Sequence, residues 1–504
     1  MNENYLIYGL IGLLAIVSII NTGYDYAEPL YLPLIKYYQD NTLFQEDPYI
    51  SLLSNLPLYM WQSIGYFTNS SNLEWFMFFL FVFARILLCF SIYFLAFSIS
   101  KNKLVSLIST IFSILIIWTF NIGNFIMFLS DITPFSFAIS VAFFSIGYFI
   151  RKNYVVSLLL LTLIAYIHPL TIFYLGVIYS IYFIFNLKEI KKNVFFTGIA
   201  SLVLILPVVV KSVKSFSLSG TNSFNFTSWL NFVVARDGHH IFPSLWDLRN
   251  YILFSLLVIF FFVSLKYNKN REVNRTVFYI GLSTFLMLLT GYIFSEIYPT
   301  KEIIGLSLFR SLMFFRVIMF VYISNYLYHS MKRIRLNLEF FYSLFVICLF
   351  LGAILGPAIF GNGFSKEIYF PWEKNITSWE DISLKTKEFT PKNALVIIPP
   401  FEKSFMVFSD RNSYFGWTEV GSFLYFPNLA EREFNKLIDL CGPFDKYDVW
   451  EIKEECDENI KKIDKSKLNE LKKRYGATYI ILKTPNNLDL IVLYKNEDFV
   501  LYQI

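Results

Sequence analysis

Three groups of polar residues in this 504-residue chain have types and spacings that could do chemistry. The first is acidic. Gly23-Tyr24-Asp25-Tyr26-Ala27-Glu28 follows directly on an apolar stretch, and Asp40 and Glu46-Asp47 come soon after. A carboxylate at the end of a membrane helix sits at the bilayer boundary, within reach of a lipid-linked phosphate and of a water-borne hydroxyl. There it can take a proton from an attacking hydroxyl or, with a second acid, hold a divalent metal. Asp25 and Asp47 are the candidates for the base, and Glu46 and Asp47 are the nearest approach to a metal pair; the plain alternative for each is a solvated loop acid. The second group is Arg85, Arg310 and Arg316, three guanidinium groups in apolar surroundings. Arg85 lies about ten residues, or about 15 Å, into its hydrophobic stretch, where a charge faces a cavity or a partner. Guanidinium groups bind phosphate bidentately; the alternative is an ion pair with an acid such as Asp131 or Glu296. The third group is Arg236-Asp237-Gly238-His239-His240, which could shuttle protons or grip phosphate. Adjacent histidines lack the i,i+4 spacing of a helical zinc motif, so metal binding there is disfavoured. His168 and Asp131 are supporting candidates, although His168 before Pro169 also reads as a helix break and Asp131 before Thr133-Pro134 as a helix N-cap.

The elements that must position these residues are membrane helices. Hydrophobic residues make up 56% of the chain, aromatics 20% and charged residues 16%, where a soluble domain carries about 25% charge. A spanning helix needs about 20 apolar residues. Eleven stretches qualify as candidates: 5–21, 75–99, 104–122, 133–150, 154–168, 170–186, 194–211, 251–265, 277–295, 310–331 and 338–360. The first lacks a positively charged leader and a cleavage site, so it reads as a retained helix. Lys101/Lys103, Arg151/Lys152, Lys188/Lys191/Lys192, Lys266/Lys269/Arg271/Arg275 and Lys332/Arg333/Arg335 fall between alternate stretches, accompanied by only two acids, Glu189 and Glu272. Basic loops stay cytoplasmic. The N-terminus is then cytoplasmic, and 22–74, 123–132, 212–250, 296–309 and the tail after 360 lie outside. Leu30–Tyr38 and Leu52–Tyr66 are amphipathic enough to lie on the membrane surface. In the tail, Ala394–Pro400, Thr478–Lys483, Ile491–Tyr494 and Phe499–Ile504 read as strands, with helices at Ala430–Leu440 and Lys465–Tyr475. The expected fold is a polytopic α-helical membrane protein of about eleven transmembrane helices (1–360) with a small C-terminal extracytoplasmic α/β domain (361–504). Cys441 and Cys456 in that domain either form a disulfide or remain two thiols.

The net charge of +5 follows the loops and forms no basic face, so nucleic acid is not a partner. There is no phosphate-binding glycine loop, dinucleotide fingerprint or serine nucleophile elbow. No internal repeat of transporter type is present.

Together, Asp25 and Asp47 in a long first outer loop, the basic cytoplasmic turns and the α/β tail resemble the GT-C superfamily of integral-membrane glycosyltransferases, in a bacterial or archaeal branch. Trp379…Thr390-Pro391, Ile397-Ile398-Pro399-Pro400, Ser409-Asp410-Arg411 and Tyr475-Gly476-Ala477-Thr478-Tyr479 are similar to tail phrases of that group, and Arg236…His239-His240 and Arg310…Arg316 to its recurring segments. The resemblance implies inverting transfer of a sugar from a polyprenyl-phosphate donor to a cell-surface glycan, lipid or protein acceptor outside the plasma membrane. Asp25, or else Asp47, would activate the acceptor, and Arg85, Arg236, Arg310, Arg316, His239 and His240 would hold the phosphate. The chain has no clear Asp-x-Asp, which leaves a divalent metal as the one open cofactor. The rival readings are a polymerase or ligase acting on lipid-linked oligosaccharide, a transporter or flippase, and a non-catalytic scaffold presenting the tail.

Overall fold

A computed structural model describes residues 3–26, 30–116, 122–123, 132–218, 225–333, 370–371, 376–418, 426–444, 449–486 and 488–504. The expected span 338–360 and Asp131 lie outside these. Within them the chain forms two compact units. One comprises 1–26, 75–209 and 239–370; the other comprises 27–74, 210–238 and 371–504. Most of the length of the expected outer loops 22–74 and 212–250 therefore groups with the tail.

The first unit is helical. Among the described residues, six helical segments, wholly or mostly in this unit, are long and apolar enough to cross a membrane: Tyr5–Thr22, Leu73–Ser100, Lys192–Ser215, Leu248–Tyr267, Arg271–Ile297 and Lys301–Lys332. Lys103–Leu115, Pro134–Ile150, Tyr154–Ile167 and Pro169–Phe185 are apolar but shorter. The break between the last two is set by Pro169, which has no N–H and disfavours helical backbone at His168; His168 is extended, at φ −150°. Buried hydroxyls tie these short helices together. The Ser145 hydroxyl lies 2.7 Å from that of Tyr179 and donates to the Ser157 carbonyl at 2.9 Å, while Phe149 stacks on Tyr179 with centroids 4.1 Å apart. Packing and interhelical hydrogen bonds are the forces available to helices in lipid.

Four of the basic turns, and the end of the helix that leads to the fifth, gather at one end of this unit. Lys152 pairs with Glu189 and Glu272, and Arg275 with Glu189, so the two acids of these turns join three of them. Arg151 donates to the Ser98 hydroxyl at 2.8 Å, next to the Lys101 turn. Tyr322 donates to Asn274, and Tyr267 stacks on His329, which brings in the end of the helix Leu312–Arg333. The first helix runs antiparallel to Leu73–Ser100: Tyr8 meets Phe90 near its start, whereas Tyr24 meets Phe78 and Phe81 beyond its end. Thr22 and Asp25 are thus at the end opposite the basic turns.

The second unit is built on a mixed sheet of β1 (Leu395–Ile397), β2 (Asn412–Ser413), β3 (Tyr479–Lys483), β4 (Ile491–Lys495) and β5 (Phe499–Gln503), in the order β2-β1-β3-β5-β4. β1 pairs parallel with β2 and β3, and β5 pairs antiparallel with β3 and β4, with Ile480 opposite Tyr502. Ile480, Ile481, Val500 and Leu501 are buried. The helix Ser378–Phe389 starts at a capping box of Thr377 and Glu380 and packs on β4 and β5. The helices Leu32–Gln39, Pro48–Asn55 and Tyr59–Phe67 occupy the amphipathic stretches expected on the membrane surface. Leu32, Leu34, Ile35, Trp61 and Ile64 are buried within the unit, and Leu32–Gln39 packs on the helix Phe405–Ser409. Residues 226–241, expected within a loop, are a helix that buries Trp229, Phe232 and Val233 at i, i+3, i+4 spacing.

Candidate functional site

In the first unit, Arg85 is only 4% exposed and donates from Nη2 to the Thr22 hydroxyl at 3.2 Å, with its guanidinium 4.7 Å from the Phe81 ring centroid. Thr22 is the last residue of the first helix, and its own hydroxyl donates back to the Ser18 carbonyl at 2.9 Å. The helix carrying Arg85 begins at Leu73, so part of its length precedes the level of Thr22. Arg85 is the thirteenth residue of that helix, well inside it as the sequence places it, and the hydrogen bond puts it level with Thr22 at the end of the first helix, three residues before Asp25 in sequence. Asp25 is half-buried there. A backbone turn at Gly23, with φ +71°, carries the chain away from the helix.

Arg310 lies in the short turn Leu308–Ser311, and Arg316 in the helix Leu312–Arg333. The Arg310 turn follows Ser307, a non-glycine residue at φ +47°. Such a conformation costs about 1–3 kcal/mol and persists where its surroundings enforce it. Tyr174 does so, donating to the carbonyls of Leu306 at 2.7 Å and Ser307 at 3.2 Å. His168 lies within electrostatic range of Arg310, and its Nδ1 is 2.9 Å from the Thr171 hydroxyl. Arg316 is 2% exposed. Glu296, considered above as an ion-pair partner for these arginines, accepts the Ser244 N–H at 2.6 Å. His240 approaches the Gly123 carbonyl at 2.7 Å through Nδ1, and the exposed His239 lies against it, ring centroids 3.9 Å apart.

The second unit holds the other candidates. Asp47 is 4% exposed and is the N-cap of Pro48–Asn55, accepting from the backbone N–H groups of Tyr49 at 2.9 Å and Ile50 at 3.0 Å. Burial pushes its carboxyl up to about 6, the two amides oppose this, and Glu433 and Lys436 act in opposite directions. Glu46 is exposed, so the adjacent pair faces two different environments. Among the described residues no three His, Cys, Asp or Glu side chains cluster as a metal site. Arg236 donates to the Trp417 carbonyl at 3.0 Å and the Thr418 carbonyl at 3.4 Å, with Asp237 at 3.7 Å; its donors are engaged in holding the tail. Cys441 and Cys456 are joined by a disulfide, Cα atoms 4.7 Å apart.

Sequence reasoning missed the ion cluster around Asp410. This buried carboxylate pairs with Lys36 at 2.8 Å and with Lys387. Burial raises its pKa, but the two ammonium groups outweigh burial and hold it below the ordinary value. Lys36 and Asp410 are 374 residues apart, and no local spacing signals such a pair. No protein-family model matches the chain, and a search of curated proteins finds no match.

Proposed function

We propose that this chain is an inverting membrane glycosyltransferase of GT-C type, moving a sugar from a polyprenyl-phosphate donor to a glycan, lipid or protein acceptor on the outer face of the plasma membrane. What supports this is that the buried Arg85 bonds Thr22, the last residue of the first helix, which leads into Asp25 and points away from the basic turns. Basic turns face the cytoplasm, so the opposite end faces outward, where lipid-linked sugars meet their acceptors.

In this mechanism the acceptor hydroxyl attacks the anomeric carbon and gives its proton to Asp25. The bond between that carbon and the phosphate oxygen breaks, and polyprenyl phosphate leaves with the electron pair. Negative charge grows on the phosphate, so fixed guanidinium groups stabilise the transition state more than the ground state. Arg85 and Arg310 take that role, with His168 and His240 as further donors. Asp47 is the weaker choice for the base because its carboxylate already caps a helix.

The test is to incubate the purified protein with radiolabelled polyprenyl-phosphate sugars and a cell-envelope lipid extract. Transfer to an extracted acceptor is expected. Arg310→Ala should weaken use of the donor by about 100-fold or more while leaving acceptor dependence unchanged. Equal losses for donor and acceptor would identify Arg310 as structural.

A further inference from the structure

The first unit carries a groove of about 630 Å³, lined largely by Tyr8, Phe83, Phe90, Phe94 and Phe97 and ending at Lys103 and Arg151. Its cationic end lies away from Asp25, since Lys103 and Arg151 belong to the basic turns. Its floor is the helix Leu73–Ser100. From Phe83 to Phe97 that helix rises about 21 Å, somewhat more than the roughly 15 Å of one leaflet's hydrocarbon. Phe83 and Tyr8 are each more than half exposed, so the groove opens to the surroundings of the helices.

The cationic end is built. Arg151 donates to the Ser98 hydroxyl at 2.8 Å and lies 4.2 Å from the Phe94 centroid and 5.7 Å from that of Phe97. Phe94 is held from behind by Tyr148, centroids 4.8 Å apart. A Cβ on Gly147 would come within 2.7 Å of the Phe94 ring, so the ring packs directly on the helix backbone there. Among the described residues no carboxylate pairs with Arg151; the nearby acids Glu189 and Glu272 pair with Lys152 and Glu189 also with Arg275. A positioned guanidinium beside a second cation, at the mouth of an aromatic trough one leaflet long, is complementary to a phosphate with an acyl tail.

We propose that this groove is a binding site for one anionic phospholipid, its phosphodiester headgroup held by Arg151 and Lys103 and one acyl chain lying along Phe83–Phe97. The site is independent of the sugar-transfer reading.

The test uses the full chain, purified and placed in nanodiscs of phosphatidylcholine doped with phosphatidylglycerol, and counts retained lipids by native mass spectrometry. Retention of phosphatidylglycerol over phosphatidylcholine is expected. Arg151→Gln and Lys103→Gln should each lower that preference by about five-fold, and Arg151→Lys should keep most of it. The wild-type comparison between the two lipids needs no variant, and thermal melts in lipid-free neutral detergent identify any variant that fails to fold. Equal retention of the two lipids by the wild-type protein would overturn the site, as would an unchanged preference in a folded Arg151→Gln protein.

Discussion

Replacing Asp47 with Asn should make the protein more stable at neutral pH, against the usual direction for losing a helix cap. The carboxylate is buried, and burial raises its pKa from 3.8 to about 6. Unfolded, the group releases its proton near 3.8; folded, it keeps the proton until about pH 6. Between these values the folded chain binds more protons, so stability falls as pH rises. The contribution is fully present below 3.8 and lost above about 6. That interval corresponds to about 3 kcal/mol, of which about 2.5 kcal/mol separates pH 4 from pH 8. Asparagine caps as well as aspartate and offers a carbonyl oxygen to the Tyr49 and Ile50 amides, but it carries no charge at any pH. Melting of the full-length protein in neutral detergent, followed by tryptophan fluorescence at pH 4 and pH 8, measures the difference. At about 2–4 °C per kcal/mol for a unit of this size, the advantage of the variant should grow by about 5–10 °C from pH 4 to pH 8. Comparing variant with wild type at each pH cancels the other titrating groups. An equal shift at both pH values, or a variant less stable at pH 8, would refute the reasoning and mean that Lys436 keeps Asp47 ionised in the fold.

Two further outcomes follow from the packing and the charge pattern. A Cβ on Gly65 would lie 2.5 Å from the Tyr38 Cβ and 3.0 Å from the Ile35 carbonyl oxygen; Gly65→Ala should therefore part Leu32–Gln39 from Tyr59–Phe67, costing about 1–3 kcal/mol and speeding amide exchange in both helices. Gly176→Ala, with nothing within 4 Å of the new carbon, should leave exchange unchanged. Protease added to intact cells should cut within 376–504, whereas cysteines introduced in the 188–192 turn should resist a membrane-impermeant thiol reagent; the reverse pattern would invert the topology.

The apolar helices were legible because each carries its own signal. Pro134 and Pro169 mark helix starts, and Asn153 and Asn270 cap others. The basic turns were legible for the same reason, and their convergence through Glu189 and Glu272 follows from the only two acids among them. The make-up of the second unit was not legible. Lys36–Asp410 and Lys392–Asp40 join residues more than 350 positions apart, and local periodicity carries no trace of partners at that distance. The amphipathic faces of Leu32–Gln39 and Tyr59–Phe67 announced that something apolar would cover them, without saying whether it would be lipid or protein. Residue counting put Arg85 well inside its helix, where it lies, but carried no sign that Thr22 would be its partner. Asp47 shows a different ambiguity: a carboxylate before Pro48 has the type for chemistry and the position for a cap, and its hydrogen bonds assign it to the cap.

The proposed base is Asp25, which follows the end of the first helix opposite the basic turns. The most direct measurement compares sugar transfer by wild-type protein, Asp25→Asn and Asp47→Asn, each purified and shown to insert in membranes, using a radiolabelled polyprenyl-phosphate sugar that the wild type accepts. Loss of general-base catalysis lowers rates by about 10²–10⁴-fold, so Asp25→Asn should fall into that range while Asp47→Asn retains wild-type transfer. Undiminished transfer by Asp25→Asn would rule Asp25 out as the base.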